Sequence, residues 1–295
     1  MNVPRLIVRP QQGLANRMRV ISSFRILARY SGRVFELCWA PSNGWSDEDL
    51  SELFENGFPR VSPDEFAEYC HNGLAIHKAR QVAGRDDRGT QMWKWRAGSG
   101  MHRVFDLENF PVVTYSGQAR CDRLVDHATR ARLLPHFEPA YRANVREWRP
   151  VPSIRAKIEE LAEAFGPHTV GVHIRRGDHL TGSRRSGWRR SSDEAFFARM
   201  DAELAAQPST NFFLATDSAA TEERLRGQYR EAVIVNPDKR FVPSVIRRPK
   251  DNQRDAVIDM FALARTRKIL GSNYSSFSVM AADIGGIEVQ RVLEA

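Results

Sequence analysis

Two adjacent arginines follow a short apolar segment in the middle of the chain. Residues 170–174 are β-branched at every second position, and they lead directly into Arg175, Arg176, Gly177 and Asp178. The segment predicts a buried strand. The planar donor fork of arginine matches the geometry of phosphate oxygens. The sequence therefore predicts a site for an anion with several oxygens at the end of this strand, and phosphate is the first ligand to test.

Two other polar segments follow predicted strands. Asp217 ends the apolar segment 211–217, and a serine-rich segment at 272–278 lies between the strand that ends at Gly271 and the next helix. In open α/β sheets, ligands bind beyond the carboxyl ends of the strands. A helix N-terminus also attracts phosphate, because its N–H groups and dipole point at the ligand. Taken alone, the serines predict an ordinary helix cap. Opposite an arginine pair on the same sheet edge, they favour a phosphate site.

Two weaker signals concern single residues. Asp259 lies in a predicted helix at 254–265, where its carboxylate is either solvated or directed at a donor such as the N–H groups of guanine. The segment 13–17 follows a strand and precedes a helix, so Asn16 could approach a ligand held by the other half of the chain. With only one glycine, this segment is not a dinucleotide-binding fingerprint.

The spacing of apolar residues predicts the elements that would position these groups. In the first half, we expect a strand at 6–8, a loop at 11–17, a helix that ends near Gly32 and a strand at 34–39. This order is a βαβ unit, which implies a parallel sheet.

The second half alternates strands and helices more clearly. Before it, the less regular segment from about 40 to 150 contains a capped helix start at 46–49 and an exposed loop at 83–90, and the two prolines in the segment 149–152 predict a domain boundary. Ser191 and Ser192 are expected to cap the helix that follows them. The predicted strands are 170–174, 211–217, 232–235, 268–271 and 287–292, and the predicted helices include 153–165, 193–206, 254–265 and 275–284. This alternation predicts a doubly wound α/β layer structure.

The composition limits the classes of function. The 295-residue chain has a formal net charge of +8, and only six of its 44 basic residues are lysines. A GC-rich genome and a polyanionic partner, either nucleic acid or a nucleotide phosphate, explain this arginine excess equally well. Three widely spaced cysteines, and the absence of a signal or membrane-spanning segment from this sequence, favour a reducing cytoplasm. A basic face could still rest on an acidic membrane surface.

Four motifs occur in an order that is similar to a known enzyme family. They are Gly-Leu-Ala-Asn-Arg at 13–17, His-x-Arg-Arg-Gly-Asp at 173–178, Phe-Leu-Ala-Thr-Asp at 213–217 and Ser-Ser-Phe-Ser at 275–278. The chain thereby resembles the superfamily of α1,2-, α1,6- and protein O-fucosyltransferases, which includes the nodulation fucosyltransferase. The resemblance extends from residue 13 to about 286, but the segment from about 40 to 150 matches no motif of the family.

The resemblance implies a GT-B architecture, in which two Rossmann-like domains face each other across a cleft. The N-terminal domain, residues 1–150, would bind the acceptor, and the C-terminal domain, residues 151–295, would hold GDP-fucose. The implied reaction is inverting and needs neither a metal ion nor a cofactor. Fixed cations and helix dipoles would then stabilise the leaving diphosphate.

The resemblance also assigns roles to single residues by motif. Arg175 and His173 are the expected catalytic residues, with Arg175 on the β-phosphate, assisted by His173 and Arg176. Asp259 would hold guanine, and Asn16 from the opposite domain would face the sugar and the diphosphate. The complete set of expected nucleotide-sugar contacts is Gly13, Asn16, Arg17, Arg176, Asp178, Asp217, Asp259, Ser275, Ser276 and Phe277.

The chain departs from the α1,6-enzymes after Asp178. Those enzymes have a glutamate, a candidate general base, a few residues further on, whereas here the next carboxylates are Asp193 and Glu194. Asp178 is expected to orient the arginines. The segment 183–192, which contains four arginines and Trp188, predicts either an acceptor-binding loop or a solvated basic loop.

One pattern points to a metal ion. Asp47 and Asp49 have the Asp-x-Asp spacing with which many metal-dependent glycosyltransferases bind a divalent cation, but Ser46 before them favours a helix cap. The eight histidines lack metal-ligand spacing. We therefore expect no metal site.

These observations favour a metal-independent fucosyltransferase in the cytoplasm, either soluble or peripherally bound to the inner membrane surface. Its expected partners are a nucleotide sugar and a glycan or lipid-linked saccharide acceptor. The alternatives are the same fold with another GDP-sugar, a catalytically silent family member that binds a sugar nucleotide, and a basic nucleic-acid-binding protein. A nucleic-acid partner is not expected, because no recognisable binding motif supports it.

Overall fold

In the computed structural model, the chain divides into two compact units, Met1–Arg149 and Pro150–Ala295. We call them the N-terminal and C-terminal domains. The division falls within the proline-containing segment at 149–152. The structure describes residues 3–40, 49–69, 84–85, 90–92, 107, 112–125, 127–176, 191–241 and 251–294.

The N-terminal domain is built on a five-stranded sheet. Its strands are β1 (Arg5–Pro10), β2 (Val34–Leu37), β3 (Gly84–Arg85), β4 (Thr90–Met92) and β5 (Val112–Gly117), in the spatial order β2-β1-β5-β4-β3. Neighbouring strands are parallel except for the antiparallel pair β3 and β4. The helices are α1 (Leu14–Tyr30), α2 (Leu50–Leu53), α3 (Pro63–Tyr69) and α4 (His127–Arg146), with a 3-10 turn at Cys121–Arg123. The predicted βαβ unit is therefore present.

Helix α1 begins earlier than the sequence pattern predicts. The N–H groups of Asn16 and Arg17 both donate to the carbonyl of Gly13, at 2.9 and 3.1 Å. The segment 14–17, predicted as loop, is therefore the first helical turn, because Gly13 already serves as the N-cap. The helix ends at Tyr30, close to the predicted Gly32, whose φ of 63° lies in the left-handed region that glycine tolerates. Its apolar face is fully buried and includes Met18, Ile21, Phe24 and Leu27.

The segment 83–90 is not simply the exposed loop that its polarity predicts. It contains strand β3 and the start of strand β4, which pair with Gly84 opposite Met92. Strands of two and three residues offer too few apolar positions for an alternating pattern to be visible.

The C-terminal domain is built on a second five-stranded sheet, and all of its neighbouring strands are parallel. The strands are β6 (Val170–Ile174), β7 (Phe212–Thr216), β8 (Val233–Val235), β9 (Lys268–Ser272) and β10 (Glu288–Val292), in the order β10-β9-β6-β7-β8. The helices are α5 (Pro152–Glu163), α6 (Asp193–Ala206), α7 (Ala219–Tyr229), α8 (Asp251–Leu263) and α9 (Ser276–Gly285), with a 3-10 turn at Arg230–Ala232. The predicted α/β class is confirmed.

The two central strands of this sheet form its core. Every residue of β6 and β7 is buried, as expected for parallel strands covered on both faces. Their apolar side chains pack with Phe196 and Met200 from α6 and Leu225 from α7. Burial of these strands fixes the position of the polar residues that follow them.

The predicted helix caps are only partly correct. Ser192 caps α6, because its hydroxyl accepts from the N–H of Ala195. Ser191 does not act as a cap. It is fully buried, and its hydroxyl donates to the carbonyl of Val292 and accepts from the N–H of Asn273 at 2.9 Å. It therefore joins the ends of β10 and β9.

Candidate functional site

The strand order places a topological switch point between β6 and β9. From β6 the chain continues to β7 and β8 on one side, and it then crosses to β9 and β10 on the other. Because all five strands are parallel, their carboxyl ends lie at one edge, where open α/β sheets bind ligands. This edge carries Arg175 after β6, Asp217 after β7 and the segment 272–278 after β9. The structure thus brings together the three segments that the sequence analysis selected.

Side chains from both neighbouring strands hold the backbone after β6. The N–H of Arg175 donates to Ser272 Oγ at 3.0 Å, and the N–H of Arg176 donates to Asp217 Oδ1 at 2.6 Å. The second oxygen of Asp217 lies 3.8 Å from Nη1 of Arg175, which is longer than a hydrogen bond. Asp217 therefore attracts the Arg175 guanidinium without a hydrogen bond between these two atoms. The position of Arg175 is set through its own backbone.

Arg176 does not contribute to the anion site that the sequence predicts for it. Its side chain is buried, Nε and Nη2 both donate to Asp193 Oδ1, and Nη1 donates to the carbonyl of Arg175 at 3.0 Å. Asp193 also accepts from Arg224. The assignment of Arg176 to a phosphate is corrected accordingly, because each nitrogen of its guanidinium already donates within the domain.

The N-terminus of α9 faces the same edge. Ser275 is its N-cap, and the hydroxyl accepts from the N–H of Phe277 at 3.3 Å. The N–H of Ser276 makes no hydrogen bond within the part of the chain that the structure describes. The helix packs closely on β9, since a Cβ on Gly271 would lie 2.6 Å from Ser278 Oγ. The capping interpretation is thus correct for Ser275, and Ser276 still presents an N–H group suited to an anion.

His173 is packed rather than exposed at this edge. It is 5% exposed, and its ring stacks on Phe277 with centroids 4.7 Å apart and planes inclined by 22°. The stack connects the end of β6 with the first turn of α9. His173 therefore aligns the two elements that carry Arg175 and Ser276.

Asp259 is buried beside a lysine rather than solvated. It is 3% exposed, and its Oδ2 accepts from the ammonium of Lys239. Burial raises the pKa of Asp259, and the charge of Lys239 opposes this rise. The solvated alternative is therefore wrong, whereas the contact with guanine stays a prediction, because Oδ1 of the buried carboxylate makes no hydrogen bond within the described residues.

The N-terminal sheet has its own switch point, between β1 and β5. The N–H of Gln11 donates to the carbonyl of Gly117 at 2.9 Å, across the ends of these strands. Asn16, in the first turn of α1, donates to Gln12 Oε1 at 3.2 Å and accepts from Arg19 at 2.7 Å. Gly13 and Asn16 thus lie at the carboxyl edge of this sheet, and their contact with the nucleotide sugar stays a prediction.

Arg17 is part of the domain interior. It is 1% exposed, donates to the carbonyls of Gln12 and Ala40 and lies over the ring of Trp39 at 4.6 Å. Burial lowers the pKa of Arg17 to about 10. Its predicted contact with the nucleotide sugar is therefore corrected to a structural role at the start of α1.

The residues considered for the general base divide into two groups. Asp178 and most of the basic segment 183–192 lie outside the described residues. Asp193 and Glu194 are described, and both form ion pairs with Arg224. In this arrangement Arg224 neutralises both carboxylates.

Asp49 has a structural role. It caps α2, forms a capping box with Glu52 and pairs with Arg60, which holds the pKa of Asp49 at about 2. In the described ranges, no group of three or more histidine, cysteine, aspartate or glutamate residues is arranged to hold a metal ion. None of the helices described is both long and apolar enough to cross a membrane.

Sequence reasoning selected Ser272 within the segment 272–278, but it missed the roles of Asp193 and Lys239 as partners at this edge. Ser272 accepts from Arg175, Asp193 binds Arg176, and Lys239 binds Asp259. Ser272 was selected because it directly follows the predicted strand 268–271. The partners of Asp193 and Lys239 lie 17 and 20 residues away, and no local pattern joins them.

No family model and no curated protein matches the sequence, but solved structures match nearly the whole chain. A variant of Arabidopsis thaliana FUT1 in complex with GDP is 13% identical, with a TM-score of 0.65, over 98% of this chain and 70% of that one. NodZ alpha-1,6-fucosyltransferase soaked with GDP-fucose is 18% identical, with a TM-score of 0.61, over 95% and 92%. POFUT1 in complex with GDP-fucose is 12% identical, with a TM-score of 0.53, over 99% and 98%. The chain therefore has the two-domain α/β fold, GT-B, of these fucosyltransferases.

Proposed function

We propose that the protein transfers fucose from GDP-fucose to a hydroxyl group of a glycan or lipid-linked saccharide. The observation that carries this proposal is the meeting of Arg175 and the N-terminus of α9 at the switch point of the C-terminal sheet. A cation and a helix N-terminus are the two features that suit a diphosphate. The similar solved structures contain GDP or GDP-fucose, which supports guanosine as the nucleoside that is attached to this diphosphate.

The proposed reaction is a single displacement at the sugar. The acceptor oxygen bonds to C1 as the bond from C1 to the β-phosphate oxygen breaks, and GDP leaves with the bonding electrons. The acceptor proton passes to a general base. The transition state resembles an oxocarbenium ion, so negative charge grows on the diphosphate. Arg175 and the N–H of Ser276 are placed to stabilise that charge without a metal ion.

Residues around Arg175 have supporting roles in this proposal. Ser272 and Asp217 hold the backbone of Arg175 and Arg176, and His173 aligns β6 with α9 through its stack on Phe277. In the N-terminal domain, we assign Gly13 and Asn16 to the transferred sugar, because they lie at the carboxyl edge of that sheet.

The cellular setting is part of the same proposal. We place the reaction in the cytoplasm, with the protein resting on the inner membrane surface when the acceptor is lipid-linked. The net charge of +8 supports attraction to an acidic surface. A binding assay with vesicles of neutral and acidic lipids tests it, and equal binding to both contradicts it.

Nucleotide selectivity tests the proposed donor. Thermal unfolding is measured with GDP, GDP-fucose, GDP-mannose, UDP and ADP, since a ligand that binds only the native state stabilises it. We expect GDP-fucose and GDP to raise Tm and UDP and ADP to leave it unchanged. Transfer from GDP-fucose and from GDP-mannose to a mixture of neutral oligosaccharides then separates the two donors. Tight binding of random DNA without any response to GDP contradicts the proposal and favours a nucleic-acid-binding protein.

A further inference from the structure

Tyr274 combines an uncommon backbone conformation with an exposed aromatic ring. Its φ is 56°, in the left-handed region, which is an outlier for a bulky residue. Its side chain is 65% exposed, more than any other large hydrophobic side chain in the described part of the chain. Strain of this kind is retained mainly at sites that bind ligands, so the combination indicates a residue presented to a partner.

The surrounding structure holds the backbone of Tyr274 but not its ring. The N–H of Tyr274 donates to Asn273 Oδ1 at 3.1 Å, and buried Asn273 is itself tied to Ser191 Oγ at 2.9 Å. Within the described ranges, the ring makes no aromatic contact and the hydroxyl no hydrogen bond. Burial of the side chain therefore does not explain the strain.

The position of Tyr274 in the chain links it to the anion site. Two residues before it, Ser272 accepts from the N–H of Arg175, and directly after it, Ser275 caps α9. Two other described non-glycine residues have a positive φ: Arg230 at 49° caps the C-terminus of α7, and Gln12 at 71° follows β1 at the switch point of the other sheet. Tyr274 and Gln12 thus each lie two positions beyond a strand that borders a switch point.

We propose that Tyr274 is the platform on which the purine base of the donor nucleotide stacks. The three parts of a nucleotide sugar need different partners: the diphosphate needs charge, the sugar needs groups that hydrogen-bond to its hydroxyls, and the planar base needs a flat apolar surface. The ring of Tyr274 offers the last of these, beside the groups assigned to the diphosphate. Bases stack readily on aromatic side chains. This inference rests on the proposed function.

The experiment compares Tyr274→Gly with Tyr274→Phe. Glycine adopts a positive φ without steric cost, so we expect the Tm of the unliganded Tyr274→Gly protein to equal or exceed that of the wild type. We expect its Kd for GDP to rise about tenfold or more, because stacking is lost, while the Kd for inorganic pyrophosphate stays unchanged. Tyr274→Phe keeps the ring and should bind GDP like the wild type. Tyr30→Ala, which removes another exposed tyrosine, serves as the control.

Three results overturn the inference. A clear fall of Tm in Tyr274→Gly assigns the ring a structural role. An unchanged Kd for GDP shows that the base does not use the ring. An equal loss of GDP and pyrophosphate affinity places the effect on the phosphate site. Failure of the wild type to bind GDP overturns the proposed function together with the inference, whereas wild-type binding that Tyr274→Gly does not weaken overturns the inference alone.

Discussion

Arg175 and Arg176 are neighbours in the chain, yet we expect their replacement by alanine to have opposite effects. Arg175 lies at the switch point, and its Nη1 is 3.8 Å from Oδ2 of Asp217. Arg176 is buried and donates to Asp193 through two nitrogen atoms. Arg175→Ala should therefore remove transfer activity and leave the fold in place, and Arg176→Ala should destabilise the fold.

The contacts of the two arginines set the expected size of the rate loss and of the stability loss. Loss of one charged donor to the leaving group lowers the rate by roughly 10²–10³. The long contact with Asp217 costs less than about 1 kcal/mol of stability when removed. Breaking the buried pair of Arg176 and Asp193 costs about 3 kcal/mol, the lower end of the usual range for buried pairs, because Arg224 still neutralises Asp193. At ~2–4 °C per kcal/mol, Tm falls by roughly 6–12 °C.

Two measurements separate the variants. Release of GDP from GDP-fucose with acceptor present gives kcat/KM, and urea unfolding gives the free energy of unfolding. Arg132→Ala, on the exposed face of α4, is the charge-matched control and should change neither quantity. Wild-type kcat/KM in Arg175→Ala refutes the role of Arg175. Wild-type stability in Arg176→Ala refutes the assignment of Arg176 to the interior.

Three further predictions concern residues around the site and the metal question. Ser272→Ala removes the acceptor of the Arg175 N–H and should lower kcat by about tenfold, for a lost interaction near 1.4 kcal/mol. Ser272→Thr keeps a hydroxyl and should restore kcat. Equal kcat in the wild type and both variants would contradict the role of Ser272 in positioning Arg175. Arg60 depresses the pKa of Asp49 to about 2, so the stabilisation from this pair is complete above the ordinary aspartate pKa of ~4 and is lost as pH falls towards 2. Asp49→Asn should therefore cost about 0.5 kcal/mol at pH 7, because the pair is exposed, and the difference in urea unfolding should shrink towards pH 2; a constant difference refutes the linkage. Chelation with EDTA should leave transfer unchanged, and a loss that added Mg²⁺ or Mn²⁺ restores would contradict a metal-independent site.

The parts of the fold that local patterns determine were predictable. Strands β6 and β7 are continuous apolar segments because both faces of the sheet are covered, and the carboxyl edge of a parallel sheet then follows from chain order. Gly32 was predictable as the signal for the end of α1, because the left-handed backbone conformation that follows a helix favours glycine. The selection of Arg175, Asp217 and the segment 272–278 used these rules alone.

The parts that depend on partners distant in the sequence were not predictable. Adjacent residues in an extended chain point in opposite directions, so only one of Arg175 and Arg176 could face the anion site. Which arginine faces the interior depends on Asp193, which accepts from Arg176 and lies 17 residues away. Asp259 was enclosed by Lys239, which lies 20 residues earlier in the chain. Arg17 was predicted as a ligand contact, because the sequence does not show that its guanidinium donates to the carbonyls of Gln12 and Ala40.

A crystal structure of the protein with bound GDP would show whether Arg175 and the N-terminus of α9 bind the diphosphate. We expect the β-phosphate at the carboxyl edge of the C-terminal sheet, within ~3 Å of the Arg175 guanidinium and the N–H of Ser276. GDP bound away from β6 and β9, or at this edge with Arg175 turned away from both phosphates, would contradict it.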